Sequence, residues 1–88
     1  MSRQFIVLES AKEEFKDIKK YVEKNFGNLI WNEVNAQYKA AFKIIKNSPH
    51  SGNSIEVLKD IGITNVRYRL VKQIRIVYEF DSEVILIH

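Results

Sequence analysis

Apolar residues recur with a period of two at both ends of the chain and with a helical period between them. "RQFIVLE" near the N-terminus is rich in β-branched and aromatic residues and predicts a first strand. Ala11, Phe15, Ile18 and Val22 then fall on one helical face, with Lys12, Glu13, Glu14, Lys16, Asp17, Lys19 and Lys20 between them. Ser10 and Glu13, in "SAKE", have the spacing of a capping box and predict a helix from Ala11. Gly27 suits the position just past its end. Asn28 is placed to cap a second helix whose inner face would hold Ile30, Val34, Tyr38, Ala41 and Ile45, with Leu29 and Phe42 at its margin. Pro49, in the turn-rich "NSPHSGNS", stops it. Two helices with so short a link predict an antiparallel hairpin.

After "IEVLKDIG", which reads as a helical turn or an irregular segment, the period returns to two. Val66, Tyr68 and Leu70 alternate with Arg67, Arg69 and Val71; Ile74, Ile76, Tyr78 and Phe80 alternate with Arg75, Val77 and Glu79. A turn at Asp81-Ser82 leads to a last strand, "EVILIH". The fold class expected is α+β: an N-terminal strand, an antiparallel helical hairpin and a three-stranded antiparallel meander, with about four strands in the sheet.

Register decides where the charges of the hairpin point. A three-residue turn at Val71, Lys72 and Gln73 would pair Leu70 with Ile74, Tyr68 with Ile76 and Val66 with Tyr78, placing all the apolar partners on one face. Arg69 would then face Arg75 on the other side, with Arg67 beside them. Burial favours this register over a two-residue turn. Tyr68 and Tyr78 are accordingly expected to pack in the core rather than stack on bases.

Composition sharpens this picture. Eighty-eight residues suit one domain, and 45% hydrophobic content with ten aromatic residues can build a modest core. The absence of cysteine excludes disulfides and thiolate chemistry and agrees with a reducing cytoplasm. No run is long enough for a signal peptide or a membrane span, so no membrane partner is expected. The net charge of +3 is uneven. Between Asp60 and Glu79 the charged residues are Arg67, Arg69, Lys72 and Arg75; the rest of the chain has 10 basic and 11 acidic residues. Such a patch suggests an anionic partner, nucleic acid or acidic protein.

Catalytic signals are sparse. His50 and His88 lack metal-ligand spacing, and Glu79 with Asp81 makes a weak cation motif. No phosphate-binding glycine loop, nucleophile elbow or carboxylate pair is present, and no cofactor is expected. Trp31 fits either the core or an exposed helix contact.

The order of elements, together with "SAKEEFKDIKKYVEKNFG", "IIKNSPHSG" and "VRYRLVKQIRIVYEFDSEVILI", resembles the RelE/ParE superfamily of toxins from type II toxin–antitoxin systems. The resemblance covers nearly the whole chain. It implies a cytoplasmic growth inhibitor, associated with plasmid stabilisation and neutralised by a cognate antitoxin that inserts carboxylates near toxin arginines. In the RelE branch, which cleaves messenger RNA on the ribosome, Arg67, Arg69 and Arg75 match basic catalytic positions; that branch uses further groups past its last strand, where this sequence has reached His88. In the ParE branch the target is DNA gyrase and nuclease residues are largely absent. The long helical hairpin and the loop "SPHSGNSIEVLKDIG" are more similar to that branch. A shortened, inactive relative that only binds antitoxin is the third reading.

Overall fold

The computed structural model describes residues 3–88. Strand β1 (Gln4–Val7) leads into helix α1 (Glu9–Phe26), which turns at Gly27 into helix α2 (Asn28–Asn47). A 3-10 turn (Pro49–Ser51), a two-residue strand β2 (Asn53–Ser54) and a short helix α3 (Glu56–Asp60) follow. Strands β3 (Val66–Val71), β4 (Ile74–Phe80) and β5 (Val84–Ile87) complete a sheet of order β1-β5-β4-β3-β2. β1 runs parallel to β5, and the other neighbours are antiparallel. The expected α+β architecture is present, with a fifth strand, β2, that the sequence pattern did not announce.

The helices start differently from the capping signals. α1 begins at Glu9, and Ser10 lies inside it rather than capping it through its side chain. Asn28 is likewise already helical. Gly27 alone joins the helices, at φ 88°, accepting from Trp31 N–H while its own N–H donates to the Glu23 carbonyl. That left-handed backbone is unfavourable for side chains other than glycine. Such a sharp reversal ends α1 and starts α2 on one residue.

One face of this hairpin packs on one face of the sheet. Trp31, Val34, Tyr38, Ala41 and Ile45 from α2 meet Val71, Ile76, Tyr78, Phe80, Ile85 and Ile87. Phe15, Ile18 and Val22 of α1 pack against this core while remaining half-buried. Trp31 occupies the inner position expected for Ile30, which is exposed instead. Phe15 makes edge contacts with both Trp31 and Tyr38, at centroid distances of 5.4 and 5.0 Å.

The β3–β4 hairpin departs from the expected register. Val71 pairs with Ile74, so the turn has two residues, Lys72 and Gln73, not three. Leu70 therefore pairs with Arg75, Arg69 with Ile76, and Arg67 with Tyr78. Lys72 adopts φ 55°, the positive value that two-residue hairpin turns need to match strand twist. Every β3 side chain is thereby displaced to the opposite face from that expected. Tyr78 is in the core, whereas Tyr68 lies on the outer face.

Candidate functional site

The basic residues of the hairpin divide between the two faces of the sheet. Arg67 and Arg69 alternate with Tyr68 on β3 and share the inner face with their partners Tyr78 and Ile76. Arg75 lies on the outer face, where its guanidinium stacks over Tyr68, 4.8 Å from the ring centroid. Arg69 does not face Arg75, so the expected three-arginine surface does not form.

Arg67 is held by the strand beside it. Its Nη1 donates to the Gly52 carbonyl at 3.2 Å and to Ser54 Oγ at 3.3 Å. This placement follows from the pairing of Ser54 with Arg67 across β2 and β3. Gly52 in turn packs on Tyr78, whose hydroxyl donates to the Pro49 carbonyl. Burial raises the Tyr78 pKa above 10.0, while the Gly52 amide and the charges of Arg67 and Arg69 pull it down. The phenol stays protonated at neutral pH and works as a clamp on the loop.

Arg69 has no such support. Its Nε is shielded from solvent and has no hydrogen-bond partner, as is also true of Arg67 Nε. Arg69, Val71 and Lys72 face Gln37, Ala41 and Ile44 of α2 across an open cleft of about 280 Å³. Among the described residues the ion pairs are Lys12–Glu9 and His88–Glu79, so Arg67, Arg69, Lys72 and Arg75 carry their charge without a carboxylate partner.

A second depression is larger and greasy. It spans about 370 Å³ between α1 and the inner sheet face, with Phe15, Ile18, Tyr38, Phe42, Ile74 and Ile87 in its walls. The Tyr38 hydroxyl is buried without a partner, and burial raises its pKa above 10.0.

The remaining candidates have structural employment. His88 Nε2 lies 2.7 Å from Glu79 Oε1 on the outer face. The His50 ring packs on the edge of Phe80, with centroids 4.7 Å apart. Asp81 accepts from the Glu83 and Val84 backbone amides at 2.7 and 2.8 Å, and these bonds lower its pKa below 3.8. No group of three or more His, Asp or Glu side chains among the described residues could hold a metal ion. No helix among them is long and apolar enough to cross a membrane.

Sequence reasoning found the cationic strand but missed Gly52, Ser54 and Gln37. Gly52 had a signal, a glycine inside a polar loop, which marks a possible close approach. Ser54 and Gln37 have no local signature, because only the packing of β2 and α2 against β3 brings them to the arginines.

Neither the curated proteins nor the solved structures contain a match to this chain. Residues 5–88 match the family model described as ParE toxin of type II toxin-antitoxin system, parDE. That span includes both helices, the Gly52 loop and the divided hairpin. The chain therefore belongs to the ParE family of toxins of type II toxin–antitoxin systems.

Proposed function

We propose that this toxin arrests growth by acting on DNA gyrase, as a binding inhibitor in the cytoplasm, and is neutralised there by its antitoxin. The observation that carries the choice of target is the position of Arg75 across the sheet from Arg67 and Arg69. Ribonucleolytic transfer to a 2′-hydroxyl needs charge stabilisation and proton transfer to converge on one phosphate. Here the guanidinium groups are on opposite faces, and Arg67 is partly occupied by the Gly52 carbonyl and Ser54. Tyr78, the acid–base candidate paired with Arg67, is fully buried and bonded to Pro49. The arrangement suits contact with a protein surface better than it suits phosphodiester cleavage.

Two assays with the purified toxin test the target. Gyrase supercoiling should fall as toxin is added, and translating ribosomes given the same toxin should retain uncut message. Codon-specific cuts with unaffected supercoiling would replace this reading with the nuclease one.

A further inference from the structure

We propose that α2 carries a self-association surface on which a second copy of this chain docks antiparallel, each copy placing Glu33 against the Arg69 and Lys72 cations of the other. Ile30, Gln37 and Ile44 recur every seven residues, with Glu33 and Ala40 between them, so the five share one stripe along the helix. All five are exposed, Ile30 at 43% and Ile44 at 42%. The inner positions of α2, among them Trp31, Tyr38 and Ile45, belong to the core instead. The helix therefore has a second partly apolar side that its own fold leaves in water.

Charge identifies the occupant. From Gln37 to Ile44 the stripe borders the cleft in which Arg69 and Lys72 lie. Residues 34–55 and 61–78, which surround that cleft, contain seven lysines and arginines and no acidic residue. Arg69 Nε is a shielded donor with no acceptor, and a carboxylate is the acceptor that best repays a guanidinium. The stripe carries one itself. Glu33 has no ion-pair partner among the described residues. A second α2, laid antiparallel about a twofold axis near Gln37, sets each Glu33 beside residues 41–44 of the other copy and each Ile30 beside Ile44. One surface thus supplies both halves of the contact, as a closed twofold dimer requires. A nucleic acid would gain from the cations alone: no aromatic ring lines the cleft for its bases, and Ile30 and Ile44 would stay wet. The contact covers one helix face per copy, less than the roughly 800 Å² of a standard interface, so the dimer should dissociate on dilution.

Sedimentation equilibrium of the full-length toxin, from about 1 μM to about 1 mM, should show monomer and dimer in exchange. Glu33→Lys and Arg69→Glu should each weaken association at least about tenfold, because like charges then meet at both symmetric contacts. Mixed in equal amounts, these two variants should associate again, since one contact is then native and the other has its charges exchanged. Ile44→Ser should weaken association, and Arg75→Glu, on the outer face of the sheet, should leave it unchanged. Circular dichroism checks the folding of each variant. Lys72→Glu, at an exposed turn position, takes the place of Arg69→Glu should that variant unfold. A toxin that stays monomeric at every concentration, its stripe left for a different protein to cover, would overturn the proposal. So would a dimer that survives both charge reversals, or a pair of variants that stay apart when mixed.

Discussion

Replacing Gly52 with alanine should destabilise the toxin by about 3 kcal/mol, the upper part of the range for forcing atoms into a filled site. The backbone at Gly52 is extended, with φ −71° and ψ 166°, so any residue could adopt it. The obstacle is space. A Cβ there would overlap the Tyr78 hydroxyl and approach the Tyr68 carbonyl oxygen to 3.1 Å. The Tyr68 carbonyl is fixed by the sheet, and the Tyr78 ring is fully buried, so neither can retreat cheaply. Tyr78→Phe removes the worst overlap, with the hydroxyl, and leaves the ring carbon at 3.0 Å and the Tyr68 carbonyl oxygen in place. In the Gly52→Ala background it should recover part of the loss, although alone it forfeits the bond to Pro49. Urea unfolding of the four proteins in this cycle measures the coupling, expected above about 0.5 kcal/mol. A Gly52→Ala protein as stable as the parent would mean that the loop does not pack on Tyr78 as described.

Ile85→Ala should cost about 2–5 kcal/mol, through lost transfer energy and the cavity left behind. Ile85 has no exposed surface and sits mid-sheet, between Phe5 on β1 and Phe80 on β4. A chain of this length has roughly 4–13 kcal/mol of stability in all, so the variant should be partly unfolded at 37 °C. The equivalent change at Leu29, which is 84% exposed, should be nearly neutral. Thermal unfolding of the two variants provides the comparison, and similar losses at both sites would contradict the assigned core.

These two sites differ in how far they could be anticipated. Ile85 lies in "VILI", a run whose apolar character already announces a buried strand. The helical faces were equally legible: Ala11, Phe15, Val34, Tyr38, Ala41 and Ile45 all lie on the side that their spacing gives. Helix starts were less so. The cap signals at Ser10 and Asn28 are local preferences worth about 1 kcal/mol, and the packing of the hairpin overrides them.

The hairpin register differs from the one that burial alone predicts, and the cause is specific. In β3, both residue sets could be turned inward, since Val66, Tyr68 and Leu70 alternate with Arg67, Arg69 and Val71. Burial alone chooses the apolar set. Two things oppose that choice. The turn "VKQI" lacks the glycine or asparagine that usually marks a two-residue hairpin, yet Lys72 takes the required positive φ. Moreover, the inner position of Arg67 is next to β2, where the Gly52 carbonyl and the Ser54 hydroxyl accept its protons. A guanidinium can face inward because the two-residue strand offers it acceptors, and no periodicity in "NS" foretells that strand. On the outer face, Tyr68 gains the Arg75 guanidinium instead of a core neighbour.

The cationic candidates themselves were visible from charge distribution, but their grouping was not. Arg69 and Lys72 belong with α2, Arg67 with the Gly52 loop, and Arg75 with Tyr68. Three environments replace the single surface that alternation suggested. Each has its own expected sensitivity to substitution.

Cross-strand proton contacts in the free toxin, read by nuclear Overhauser spectroscopy, test the division of the arginines most directly. Backbone contacts should join Leu70 to Arg75 and Tyr68 to Val77. Contacts joining Leu70 to Ile74 and Tyr68 to Ile76 would return all three arginines to one face and contradict this division.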